Sequence, residues 1–467
     1  VWNAEAVAMY FTRKVQTMLT YKTNNEGDDV VVSELISFEI PPIEGAASLL
    51  NLRTPSEPPV DRSRYLMNNV HAVSTNVLTR LRHTIDFSAR ASYIHDRQTA
   101  EGSSLTRYYL LQEQPMDVEE LISSQIRTDQ AEVLIRLVNN SATHYLDERL
   151  NITGRLYDAN GTVGSINQNL YRPAFSIENR FSDMIRKNER IYSVNSNTSY
   201  TEGSATLKVS PLPFNDLATE FAPNAVQHLY TRRLDSQNNL RWSQNIGYWQ
   251  MMVRAHFNAR IENMESTFLP ADSEFYTFPA VDSMTNDVSL RRLDVILAPR
   301  FEYNAGERFK ISLDLPLNVR LISYADEQEH RLHFLPRLSL SGDIAGGLRY
   351  NLDARLTSGV GGVNSLYMGY LMTNYRSIGR RSGQLLHSSG KTATAGLEYK
   401  NPWIGMITSL RGTWSRNEQD LLTGSVIEGI LVRQESLPIA HHSDRYGFEL
   451  AYSQRINVLA TTLGIAL

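Results

Sequence analysis

The sequence predicts an all-β chain, a large transmembrane antiparallel β-barrel with long extracellular loops and short periplasmic turns. Three observations point there: strict two-residue alternation of apolar and charged side chains, apolar rows long enough to cross a bilayer, and connectors that alternate between tight and long. The clearest row is FKISLDLPLNVRLIS, residues 309–323. Phe309, Ile311, Leu313, Leu315, Leu317, Val319 and Leu321 alternate with Lys310, Ser312, Asp314, Pro316, Asn318 and Arg320. Successive side chains of a strand point to opposite faces, so this is strand periodicity.

The same pattern recurs along the chain. Ile85, Phe87, Ala89, Ala91 and Tyr93 alternate with Thr84, Asp86, Ser88, Arg90 and Ser92. Met251, Val253, Ala255, Phe257, Ala259 and Ile261 alternate with a row holding Arg254, His256 and Arg260. Leu348, Tyr350, Leu352, Ala354 and Leu356 alternate with Arg349, Asn351, Asp353 and Arg355. Rows near 150–156, 393–399 and 446–452 follow the rule. These segments run about 9–13 residues, the length a tilted strand needs to cross hydrocarbon. Residues 158–248 show no clean row. The competing fold is a soluble repetitive β protein with polar outer faces.

Connectors divide into two classes. NAGER (304–308), SGDIAGG (341–347) and KNPW (400–403) are tight. Residues 263–292, 322–330, 357–391 and 417–444 are long, as are 41–67 and 112–131. The alternation assigns the long ones to the outside and the tight ones to the periplasm. In hydrocarbon an open sheet edge leaves backbone groups unsatisfied, so the sheet must close, with roughly 16–22 strands expected.

Composition agrees and excludes alternatives. The 467 residues carry a net charge of −4 with 21% charged residues, so no nucleic-acid footprint appears. There is no cysteine, hence no disulfide framework or thiolate metal site. No 18-residue apolar stretch suggests a membrane helix, and a mean hydropathy of −0.33 is blind to half-polar barrel strands. The chain begins and ends in strand-like pattern, and Leu467 is not aromatic, so a longer protein is expected.

Two stretches, RKVQTMLTYKTNNEGDDVVVSELI (13–36) and LYMGYLMTNYR (366–376), with SIGRRSG after it and LEYKNPW at 397–403, carry a family resemblance. They resemble the large TonB-dependent-receptor-like barrels of Bacteroidetes outer membranes. The resemblance implies an integral outer-membrane barrel for nutrient uptake, with outer-membrane lipids around it. It also implies an N-terminal plug with a TonB box, and TonB as a partner where that plug exists. Neither plug nor box is read in this sequence. The second expectation is therefore a plug-less barrel subunit of a larger outer-membrane assembly or export complex, docking surface lipoproteins or other outer-membrane proteins through its extracellular loops.

Candidate site residues follow from these patterns. Tyr367, Tyr370, Asn374, Tyr375 and Arg376 are hot-spot residue types in an outside connector, and are expected either to contact a ligand or partner or to pack on neighbouring loops. Arg254, His256, Arg260, Arg300, Asp314, Arg320, Arg349, Asp353 and Arg355 form the lumen-facing charged row. Mixed signs predict an ion-pair network more than an anion-selective lining. His441-His442 point to opposite faces of a strand, so no metal is expected, and no cofactor. No Ser–His–Asp grouping, phosphate loop or paired carboxylate stands out, so no enzyme is expected.

Overall fold

The computed structural model describes all residues except 28–31, 34–35, 38–45, 62–63, 110–114, 215–222, 279–281, 307, 457–460 and 467. Among the described residues twenty strands form one antiparallel sheet, in which consecutive wall strands pair except where two crossings are split: Thr285–Asn304 pairs with both Lys310–Asp314 and Leu317–Tyr324, and Lys310–Asp314 pairs with Arg337–Ala345. The wall starts with Asn3–Phe11 on Val15–Asn24 and continues through Met67–Arg82, Ile85–Tyr108 and Met116–Asn140. It ends with His441–Ile456 on Thr461–Ala466.

Two wall crossings are interrupted by proline, which lacks a ladder donor. Lys310–Asp314 and Leu317–Tyr324 flank Pro316, and Glu327–Phe334 and Arg337–Ala345 flank Pro336. The twenty strands therefore make eighteen crossings, within the expected range.

Alternation has the predicted sense. On Trp249–Ala271 the odd residues Val253, Phe257 and Ile261 are exposed outward, while Met252, Met264 and Phe268 are buried inward. An aromatic girdle sits at the tight-turn end, where Trp249 lies 5.0 Å and Tyr248 6.1 Å from Tyr303. Such rings favour the membrane–water interface.

The strands outrun the expected connectors. Met116–Asn140 and Trp249–Ala271 continue through much of 112–131 and 263–292, as polar alternation rising above the apolar band. Residues 322–330 are not a long connector: Ala325, at φ 47°, and Asp326 turn one strand directly into the next. A second tight turn on that end joins Val163 to Ile166 through Gly164 at φ 57°. Sidedness still follows, because the opposite end carries only short turns. The ambiguous region resolves into His144–Val163, Ile166–Lys187, Arg190–Ser210 and Asn224–Ile246.

Candidate functional site

The connector after Leu348–Val360 does not stand out from the barrel. It folds inward across the outer mouth. A one-turn 3-10 helix, Val363–Ser365, and a small hairpin, Leu371–Asn374 with Ser377–Arg380, form its body. Leu371 and Met372 are fully buried and Tyr367 and Tyr375 nearly so. They join one apolar core with Leu50 and Leu52 from another connector, with Phe214 from the connector after Arg190–Ser210, and with Leu229 and Phe268 from the wall. The hydrophobic effect, which normally closes a soluble core, here closes the barrel mouth.

Polar anchors fix this lid to the wall on several sides. Gly369 N donates to Asn286 Oδ1 at 2.6 Å, and Asn286 Nδ2 donates back to Gly369 O at 3.2 Å. A Cβ on Gly369 would come within 2.4 Å of the Thr285 carbonyl oxygen, so only glycine permits this approach. Met372 N donates to Gln227 Oε1 at 2.9 Å, and Val363 N to Glu262 Oε2 at 3.3 Å. Asn51 N donates to Thr373 O at 2.8 Å, joining the lid to the 46–53 segment.

The far edge of the lid closes on a buried carboxylate. Glu120 has only 2% of its side chain exposed. Arg53 donates to it through Nη2 at 2.7 Å and Nε at 3.2 Å. The Tyr375 hydroxyl donates to its other oxygen, and Arg376 Nη1 lies 3.6 Å away. Burial alone pushes Glu120 up. The Tyr375 hydroxyl and the Arg53 and Arg376 guanidiniums outweigh it, so the carboxyl sits below its ordinary value. Burial, and then Glu120, push the Tyr375 phenol well up, so it stays a donor at neutral pH.

The five loop residues singled out in the sequence thus fall in this lid. Tyr367 and Tyr375 are core, with Arg381 over the Tyr367 ring at 5.5 Å. Arg376 reaches Glu120, Asn374 Oδ1 accepts from Arg376 N at 3.1 Å, and Tyr370 lies beneath Arg380 at 5.4 Å. Sequence reasoning missed Glu120, Arg53, Gln227 and Asn286. Glu120, Gln227 and Asn286 are single polar residues on three strands and Arg53 lies in a connector, and only the fold brings them to the lid.

Below the lid the charged row is an ion-pair network. Arg254 meets Asp314 at 2.5 Å, and Arg300 spans Glu302 at 2.9 Å and Asp314 at 3.8 Å. Arg260 reaches Asp235 at 2.5 Å, Arg320 reaches Asp294 at 2.5 Å, and Arg349 reaches Asp343 at 2.9 Å. Arg337 takes Asp353 at 2.8 Å, beside Arg355 in register. His256 lies on the same row between Arg254 and Arg260. Among the described residues no cluster of metal-ligating side chains occurs.

No family model matches the chain, and no curated protein matches it at sequence level. Similarity appears in structure. The copper transporter OprC aligns at a TM-score of 0.53 and 10% identity, over 84% of this chain and 57% of that one. The chain therefore spans little more than half of OprC's length. The ferric yersiniabactin uptake receptor FyuA from Yersinia pestis aligns at 0.48 and 6%, over 99% and 72%. The siderophore receptor PirA from Pseudomonas aeruginosa aligns at 0.45 and 10%, over 97% and 67%. At 10% identity the likeness to OprC is one of fold, and the chain has the all-β fold of a large outer-membrane barrel.

Proposed function

We propose that this chain is the barrel of an outer-membrane uptake channel of the TonB-dependent-receptor type, with a mouth gated by residues 361–386. The observation that carries it is the lid. A wet, ion-paired lumen lies under an apolar seal anchored by a few hydrogen bonds and one buried carboxylate, an arrangement suited to opening. The fold shared with a copper transporter supports a nutrient as cargo. The motif resemblance at 13–36 and 366–376 supports placement among the Bacteroidetes-type receptors.

The absence of cysteine provides the test. Tyr370 N donates to Ser283 O at 2.8 Å, so the Ser283→Cys/Tyr370→Cys pair lies within disulfide reach. Cells carrying this variant are assayed for uptake across a panel of small nutrients. Gene-dependent uptake of at least one solute should stop on oxidation and return on reduction. Loss on adding an uncoupler marks TonB-type energisation. Uptake indifferent to both gene and tether overturns the proposal.

A second reading, a docking subunit, is favoured by one observation. The lid hairpin continues into an external sheet through parallel pairing of Ser377–Arg380 with Leu431–Leu437, which carries Leu422–Glu428 at its outer edge. Val426 is exposed on that outer edge. Stoichiometric co-purification of a surface lipoprotein, lost with Val426→Asp, would support it.

A further inference from the structure

Among the described residues, one break in the strand-to-strand ladder falls inside the wall, away from its first and last strands. Arg337–Ala345 pairs with Leu348–Val360 from Ala345↔Leu348 up to Arg337↔Arg355, and Leu356 N donates to Pro336 O at 3.1 Å. Above that rung the ladder stops. Glu327–Phe334 pairs only with Leu317–Tyr324, and Leu356–Val360 only with Lys391–His387. Among the described residues the seam is crossed by side chains alone. Arg320 Nη1 donates to Ser358 Oγ at 3.3 Å, Ser358 Oγ lies 3.5 Å from His333 Nε2, and His387 Nε2 lies 3.2 Å from Glu329 Oε2. Pro336 stands at its lower end, where it cannot donate across the gap.

A cavity of about 580 Å³ occupies the seam, lined by His333, Ser358 and His387 together with Leu335, Leu356 and Lys391. Directly below it, on the lipid face, lies a groove of about 700 Å³. Two register rows build the groove. One runs Leu338, Ala354, Ala393, Trp414, Tyr446, and the other Leu340, Leu352, Ala395, Gly412, Phe448. Small residues make the floor, and leucines on one side and aromatics on the other make the walls. The next row up changes character: Leu356, Lys391, Arg416, Asp444. There Arg416 pairs with Asp444 at 2.9 Å and Lys391 with Glu418 at 3.0 Å. The step from apolar floor to paired charges of both signs is the step from hydrocarbon to head group.

The geometry points to a resident lipid site: one acyl chain in the Ala354–Ala393–Ala395–Gly412 groove, with a zwitterionic phosphate-and-amine head in the seam cavity. The occupant is a lipid of the surrounding membrane. Water cannot serve the apolar floor, and a purely anionic head meets Glu418 and Asp444 as readily as Lys391 and Arg416. The exposed backbone edges of the seam are the groups that hydrocarbon cannot satisfy and a polar head can.

Trp414 lines the groove and reports its occupancy. The other four tryptophans are replaced by phenylalanine, and the barrel is reconstituted with brominated phosphatidylethanolamine at increasing fractions. A sister protein keeps only Trp249, which is lipid-facing and half exposed. Heat-modified gel mobility confirms folding of each. Trp414 should reach half-maximal quenching at a several-fold lower brominated fraction than Trp249. Ala395→Phe, which fills the floor, and Ser358→Leu, which removes the polar seam contact, should each bring Trp414 back to the Trp249 curve. Overlapping curves in the parent protein, or a Trp414 curve unmoved by both substitutions, overturns the proposal. This outcome is independent of uptake.

Discussion

Removing one hydroxyl at the lid should open it measurably. Tyr375→Phe keeps the ring in the apolar core and deletes only the donor to Glu120. Glu120 keeps Arg53 at 2.7 Å and Arg376 at 3.6 Å, so its charge stays paired. A hydrogen bond to a buried charged group contributes about 1.5–3 kcal/mol. That converts to a rise on the order of 10- to 100-fold in the open population. The reporter is Met372→Cys, the sole thiol in a cysteine-free chain, at a fully buried lid position. A membrane-impermeant maleimide labels it only when the lid lifts. Its labelling rate in Met372→Cys/Tyr375→Phe, relative to Met372→Cys alone, measures the shift. A change below about twofold, the scatter of a neutral surface substitution, would refute the assignment of Tyr375 and Glu120 as the latch.

Three further outcomes are expected. The same labelling rate, divided at each pH by the rate of a free cysteine so that thiolate fraction cancels, should rise as pH falls below the ordinary glutamate value of 4.5, because Glu120 is held down in the closed lid. Latch stability from a depressed carboxyl is present above the unperturbed value and lost as pH drops through the depressed one, and Glu120→Gln should flatten the profile. Asp235→Ala strips the shared partner of Arg233 and Arg260, at 2.9 and 2.5 Å. It should lower urea stability by about 3 kcal/mol, the low end for stranded buried charge, because both guanidiniums also reach Glu262. Phe257→Arg, on the lipid face, should cost about 2–4 kcal/mol in vesicle-refolded protein, whereas Gln237→Arg on the wet face should cost little.

The barrel was legible wherever one face of a strand is apolar. It was illegible at 158–248 for a visible reason. There the outward row carries Ser196, Thr198, Ser236 and Asn238, which satisfy one another: Ser196 Oγ donates to Asn238 Oδ1 at 2.7 Å, and Thr198 and Ser236 hydroxyls lie 2.9 Å apart. The period of two survives, but hydropathy cannot see it. Tight turns at 164–165 and 325–326 hid because polar strands rising above the membrane resemble loops. The lid is a tertiary effect. Tyr367 and Tyr375 carry the same letters whether they face solvent or a core. Only the convergence of Glu120, Gln227 and Asn286, from three separate strands, decides it.

The central claim is that residues 361–386 seal an otherwise passable barrel. The most direct test is single-channel conductance in planar bilayers of the parent protein and of a variant in which residues 364–384 are replaced by a short Gly-Ser linker. The parent should stay closed at neutral pH, and the variant should show stable, ohmic open events. Equal conductance of the two, open or closed, would contradict the account.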